Sequence, residues 1–99
     1  MPLRLDITPR ALDHLDDIQT SLDEQRSGRA DKFIGKLREV GELLRIFPEM
    51  GIPKESLGQG MRARHIWGYL LLYRITDDHV RVEAIIHAAR DIEAAFWED

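Results

Sequence analysis

The chain has 99 residues, 43% of them apolar and 32% charged, which suits one domain over residues 1–99 with a modest core and excludes a disordered chain. It has no cysteine, so disulfides, a thiol nucleophile and a zinc–thiolate site are excluded, and its longest apolar run, residues 69–73, is far too short to span a bilayer. With 14 basic and 18 acidic side chains the net charge is −4, which argues against direct nucleic-acid binding, and the early acid Asp6 with no apolar signal core points to the cytoplasm.

Leu3, Leu5 and Ile7 alternate with Arg4 and Asp6, the period of a half-buried strand. Thr8-Pro9 is a helix start: threonine caps, and proline lacks the N–H that would be orphaned there. Ala11, Leu15, Ile18 and Leu22 then recur at helical spacing with Leu12 beside them, so residues 9–24 are predicted to form a helix. Ser27-Gly28 breaks it and offers a second cap. Ala30, Phe33, Ile34, Leu37, Val40 and Leu44 carry a second helix to Ile46 or Phe47, where Pro48 stops it. The short connection makes the helices an antiparallel hairpin, whose remaining apolar surface needs a sheet beneath it.

The glycines and prolines of residues 48–60 predict a loop. Three strands follow, 61–67, 69–76 and 80–87, separated by Gly68 and Asp77-Asp78 and therefore antiparallel neighbours. In the last, Val80, Val82, Ala84 and Ile86 share a face. A short helix over 91–97 turns Ile92, Ala95 and Phe96 inward. The fold class is thus α+β, in the order β-α-α-β-β-β-α, an antiparallel sheet with a helical hairpin on one face. Tyr69, Leu71, Tyr73 and Ile75 form one apolar face of the middle strand, and Leu70 and Leu72 sit on the other. The hairpin covers one; the second is expected to need the C-terminal segment or a binding partner.

Few residues suggest chemistry. His14, His65, His79 and His87 are dispersed over different elements, although His65 and His87 would meet if their strands paired; no metal or cofactor site is expected. Asp13, Asp16 and Asp17 read as a solvated helix face. Gly58-Gln59-Gly60 precedes a strand and so lacks phosphate-loop geometry. Ser21, Ser27 and Ser56 lack a nucleophile context. Arg62 and Arg64 share a strand face, read as outward, beside Trp67 and Tyr69, a composition that interfaces favour. The stretch 54–75 is locally basic, with Lys54, Arg62, Arg64 and Arg74 against Glu55 alone.

Four segments together resemble the ParE/RelE toxin superfamily, the ParE branch above all. They are Thr8-Pro9-Arg10-Ala11-Leu12-Asp13-His14-Leu15-Asp16-Asp17-Ile18, the helix-ending Phe47-Pro48-Glu49-Met50-Gly51, the sheet run from Met61-Arg62 through Gly68-Tyr69-Leu70-Leu71-Leu72-Tyr73-Arg74-Ile75, and the closing Ile86-His87-Ala88-Ala89-Arg90-Asp91. The resemblance covers nearly the whole chain in order. It implies the toxin of a type II toxin–antitoxin pair, neutralised by a ParD-like antitoxin that wraps around its helices and sheet.

In that superfamily ParE-type toxins poison DNA gyrase, whereas RelE-type toxins cleave messenger RNA on the ribosome with basic residues and a C-terminal tyrosine. Carried over, those positions fall at Leu70 and Phe96 and near Met61 and Ala63, with Arg62 and Arg64 adjacent; only Arg90 is retained in place. General acid–base cleavage needs a proton donor, an acceptor and charge stabilisation, so the resemblance implies a non-enzymatic gyrase poison. The rivals are a RelE-like ribonuclease and an inactive homologue that only binds. Expected antitoxin contacts are Leu12, Leu15, Ile18, Arg62, Arg64 and Trp67. Expected target contacts are Arg62, Arg64 and Arg90, the last with Asp91 or Glu93 as a competing ion-pair partner.

Overall fold

The computed structural model describes residues 2–98. Its elements are β1 (Arg4–Ile7), α1 (Pro9–Gln25), α2 (Arg29–Ile46), β2 (Ile52–Pro53), β3 (Met61–Ile66), β4 (Tyr69–Ile75), β5 (His79–His87) and α3 (Ile92–Trp97), with 3₁₀ turns at Pro48–Met50 and Glu55–Leu57. The Thr8 hydroxyl accepts from the Ala11 N–H at 3.1 Å and donates to the Glu83 carbonyl at 3.2 Å, so one side chain starts α1 and ties it to β5. The second cap is not a serine. Gly28 occupies the N-cap of α2 at φ 85°, and the Asp23 carboxylate, one turn back on α1, accepts the Ala30 N–H at 3.3 Å.

The sheet order is β1-β5-β4-β3-β2. Strands β3 to β5 pair antiparallel, as expected; β2 adds an antiparallel strand inside the segment read as a loop, and β1 runs parallel to β5, from Arg4 opposite His79 to Ile7 opposite Val82. The α1–α2 crossover makes this possible: a chain that leaves a strand through helices is free to return alongside it in the same direction.

β4 is buried on both faces. On one side Ile66, Leu71, Tyr73, Val80, Val82 and Ile85 meet Ala11, Ile18, Leu22, Phe33, Leu37, Val40 and Leu44 of the hairpin. On the other, Leu70 and Leu72 pack with Leu57, Met61, Ala63, Ala84, Ile86, Ala95 and Phe96. Of the two covers expected for this second face, the C-terminal segment supplies it and no outside partner is needed: one 3₁₀ turn and α3 seal it. Asp91 caps α3 by accepting the Ala94 N–H at 3.2 Å. Arg10 of α1 latches its other end, donating to the carbonyls of Ala95, Phe96 and Glu98 at 3.2, 2.5 and 2.9 Å with its guanidinium 5.1 Å from the Phe96 ring centroid.

β5 does not keep Val80, Val82, Ala84 and Ile86 on one face. Tyr73 lies opposite Val82 and Leu72 opposite Ala84, which leaves Glu83 as an extra residue in a bulge. One added residue reverses the side-chain parity, so Val80 and Val82 face the hairpin while Ala84 and Ile86 face α3.

Residues 48–60 are also more than a loop. The Tyr73 hydroxyl donates to the Pro48 carbonyl at 2.6 Å and accepts the Gly51 N–H at 2.9 Å. Arg62, opposite Tyr73 in the ladder, donates to the carbonyls of Glu49 and Gly51 at 3.1 and 2.8 Å. Gly51 is required by this closeness: a Cβ there would lie 2.8 Å from Tyr73 Cε1 and 2.9 Å from Cζ. Burial of the phenol raises the Tyr73 pKa.

Tyr73→Phe should lower unfolding free energy by roughly 1–2 kcal/mol, because the buried Gly51 N–H loses its acceptor. Gly51→Ala should be more damaging, since the ring has to move. Gly35→Ala, in a helix with open space around it, should be neutral or stabilise by up to about 1 kcal/mol. Urea denaturation of the three variants checks this; equal behaviour of Gly51→Ala and Gly35→Ala would refute the close-approach account.

Candidate functional site

An apolar groove of about 230 Å³ opens between the two hairpin helices. Leu5 and Ile7 of β1, Leu15 of α1 and Ile34, Leu37 and Gly41 of α2 form its walls, and Leu71, Val82 and Ile85 its floor. Gly41 lets α2 come close to β1, for an added Cβ would stand 2.9 Å from Leu5 Cδ2. Of the residues expected to contact a partner here, Leu15 lines the groove. Leu12 does not line it and is 47% exposed, a quarter-turn away on α1. Ile18 is buried in the core and contributes to a different cleft.

Arg62, Arg64 and Trp67 lie elsewhere. Register places Arg62 and Arg64 opposite Tyr73 and Leu71, on the hairpin face of the sheet and not on its reverse; β3 is separated from β5 by β4, and Arg64 is exposed. Ala63, on the opposite face, packs in the cluster under α3, while His65 is exposed. The Arg62 guanidinium is engaged by the 48–51 turn. Trp67 is outside the strand, in a turn at φ 47°, and packs edge-on against Phe33 with centroids 6.3 Å apart.

Arg90 follows β5 and pairs with Glu98 at 3.0 Å, not with Asp91 or Glu93. Since His87 lies opposite Tyr69 at the beginning of β4, Arg90 is beyond the far end of the strand from Arg62. The three arginines expected to contact a target are thus not brought together.

Arg90 forms part of a polar cleft of about 410 Å³ with Arg10, Asp13, His14, Asp17, Tyr69, His87 and Glu98. His14 has a role here that its sequence reading missed. β1 ends at Ile7 while β5 continues, and His14 Nδ1 accepts the Ile85 N–H at 3.2 Å on that open edge. The acceptor role puts the ring proton on Nε2. Burial lowers the His14 pKa and Arg10 lowers it further, against Asp17 and Asp13. The signal was present in the spacing, since His14 lies three residues after Ala11 and four before Ile18 on the inward face.

The other histidines have separate surroundings. His79 pairs with Asp78 at 2.5 Å, and His87 packs edge-on with Tyr69 at 5.0 Å; β4 separates it from the β3 strand that carries His65. Among the described residues no three His, Asp or Glu side chains converge as metal ligands would. No helix among them is long and apolar enough to cross a membrane.

Of the positions that the resemblance matches to RelE-type catalytic groups, Arg90 is exposed and the four others are interior. Met61, Ala63, Leu70 and Phe96 are 0, 3, 7 and 7% exposed and belong to the one apolar cluster beneath α3. No proton donor or acceptor side chain is supplied from those four places.

A family model described as "ParE toxin of type II toxin-antitoxin system, parDE" matches residues 5–92. The chain belongs to this ParE toxin family. Solved structures agree on the fold of this family member. A chromosomal ParDE toxin–antitoxin system from P. aeruginosa is 19% identical with a TM-score of 0.73, covering 86% of this chain and 95% of that one. A mutant E. coli toxin RelE in the free state is 18% identical with a TM-score of 0.65, covering 96% and 93%. The toxin–antitoxin complex RelBE2 from Mycobacterium tuberculosis is 22% identical with a TM-score of 0.57, covering 88% and 99%. No curated protein sequence matches this ParE-family chain.

Because folding lowers the His14 pKa, the unfolded chain takes up that proton more readily. The stability contributed by neutral His14 is complete above about pH 6.5 and is lost as pH falls below it toward the folded-state value. Denaturation midpoints measured from pH 8 to pH 5 should fall more steeply for the parent than for His14→Gln. Parallel pH profiles would exclude His14 as the titrating group.

Proposed function

We propose that this ParE-family toxin works by binding its target rather than by cleaving RNA, that the target is DNA gyrase, and that a ParD-like antitoxin neutralises it in the cytoplasm. The observation that carries the non-enzymatic reading is the interior placement of Met61, Ala63, Leu70 and Phe96. RNA cleavage requires charged and protic groups that reach the phosphodiester, and these four side chains fill a core instead. The sequence pI of about 5.5 supports the same reading. The gyrase assignment rests on the likeness to the ParE branch.

The antitoxin reading is supported by the likeness to the solved ParDE system and RelBE2 toxin–antitoxin complex and by the apolar groove of the hairpin. Side chains of a partner segment would enter between Leu15 and Ile34, with Leu12 at the margin as an additional apolar contact. Arg64 and Trp67, both exposed, are the remaining polar and aromatic contacts on the β3 side. Arg62 would act indirectly, by holding the 48–51 turn in place.

Purified protein should inhibit gyrase supercoiling, and its cognate antitoxin should relieve that inhibition. It should not cut ribosome-bound messenger RNA; cutting that Arg90→Ala abolishes would overturn the proposal in favour of a RelE-like enzyme. Leu15→Asp and Ile34→Asp should each weaken antitoxin binding by about ten-fold or more, roughly 1.4 kcal/mol, in calorimetric titrations on variants whose folding is confirmed by circular dichroism. Unchanged affinity in both would remove the groove from the interface.

A further inference from the structure

At the tip of the helical hairpin is a further cleft, of about 450 Å³, whose cations the toxin reading leaves unused. Arg26 and Arg29 flank the α1–α2 turn, Lys32 follows on α2, and Trp67 closes the cleft from the β3–β4 turn. No acidic side chain lines it, and among the described residues none of the three cations forms an ion pair. Of the acids nearest in sequence, Asp23 already accepts the Ala30 N–H, and Glu24 and Asp31 are exposed outside the cleft. In a chain of net charge −4 this is a local concentration of uncompensated positive charge.

Trp67 is the second half of the observation. Its φ of 47° and the 83° of Gly68 are the paired positive angles of a two-residue hairpin turn, a place where Asn-Gly is the favoured pair. A bulky residue is disfavoured in that conformation, so the turn does not account for the indole. Phe33 holds the ring from one side, and the residue stays 51% exposed beside the cations.

We propose that this cleft binds a nucleoside phosphate, either a free mononucleotide or the terminal nucleotide of a single strand. The planar base would stack on the Trp67 face, and the phosphate would be taken by the guanidinium groups of Arg26 and Arg29 with Lys32 as a further cation. An acidic peptide would satisfy the cations but leave the indole face without a partner. The inference is independent of the gyrase reading, since it uses none of the expected target contacts; it shares only Trp67 with the proposed antitoxin surface.

The test uses a Trp97→Phe protein, in which Trp67 is the sole indole, titrated by fluorescence with AMP, GMP, adenosine, inorganic phosphate, a short single-stranded oligonucleotide and an Asp/Glu-rich peptide. Saturable quenching is expected from a mononucleotide or the oligonucleotide, with adenosine and phosphate each weaker by about ten-fold or more, and an equal loss in the Arg29→Gln/Lys32→Gln variant. Tighter, steeply salt-dependent binding of the oligonucleotide identifies a strand end as the ligand; equal affinities identify the free nucleotide. Trp67→Asn, followed by calorimetry, should lose binding by about ten-fold while its thermal midpoint holds or rises, which separates a lost contact from a lost fold. Absence of saturable quenching at millimolar nucleotide and oligonucleotide, undiminished binding by the double variant, or preference for the acidic peptide would each overturn the proposal.

Discussion

Burial of β4 on both faces is the constraint around which this small protein is arranged. A strand with leucines on one side and tyrosines, leucine and isoleucine on the other must be enclosed between two layers. The hairpin supplies one layer generously; the other comes from little more than Leu57 and the six residues of α3. Tyr73 adds a polar requirement, because a hydroxyl inside a core must be hydrogen-bonded. The 48–51 turn meets that requirement, and Arg62 fastens the turn from the neighbouring strand. The Phe47-Pro48-Glu49-Met50-Gly51 segment thereby acquires a physical meaning: proline ends α2, and glycine lets the backbone reach the phenol.

The same residues link the fold to the proposed mode of action. Met61, Ala63, Leu70 and Phe96 seal the second face of the sheet, and their apolar character leaves no acid–base set in their place. An arginine put at Leu70 would have to bury its charge among them, which is strongly unfavourable without a partner. In this member of the family, the apolar character of these four positions and the integrity of the core are therefore two aspects of one packing arrangement.

Local periodicity made most elements legible. Alternation located β1, β4 and β5, helical spacing located α1 and α2, and the Thr8-Pro9 and Pro48 signals set their limits to within a residue or two. What was not legible depends on register or on contacts distant in sequence. The bulge at Glu83 is invisible to a period-two reading, so Ala84 and Ile86 were assigned to the wrong face. The parallel pairing of β1 depends on where the chain returns after the hairpin. The tail helix and its inward Ala95 and Phe96 could be read, but its latch, Arg10 reaching three carbonyls from the other end of the chain, could not. Of the candidate site, Leu15 could be read from its helix stripe. The role of Arg62 could not, since it rests on carbonyl groups of a turn that looked featureless, and the basic tip of the hairpin was hidden by a charge balance taken over too long a segment.

The pairing of Arg4 with His79, and the grip of Arg10 on the last turn of α3, have a consequence for biogenesis. The first strand finds its place only when the last one exists, and the α3 layer is held by a residue laid down near the beginning. A nascent chain leaving the ribosome can form the hairpin early but cannot close either core until β5 and α3 have been made. Truncated products would accordingly lack both the sheet edge and the tail layer. The folded form, and any action that needs it, is thus confined to chains that extend through α3.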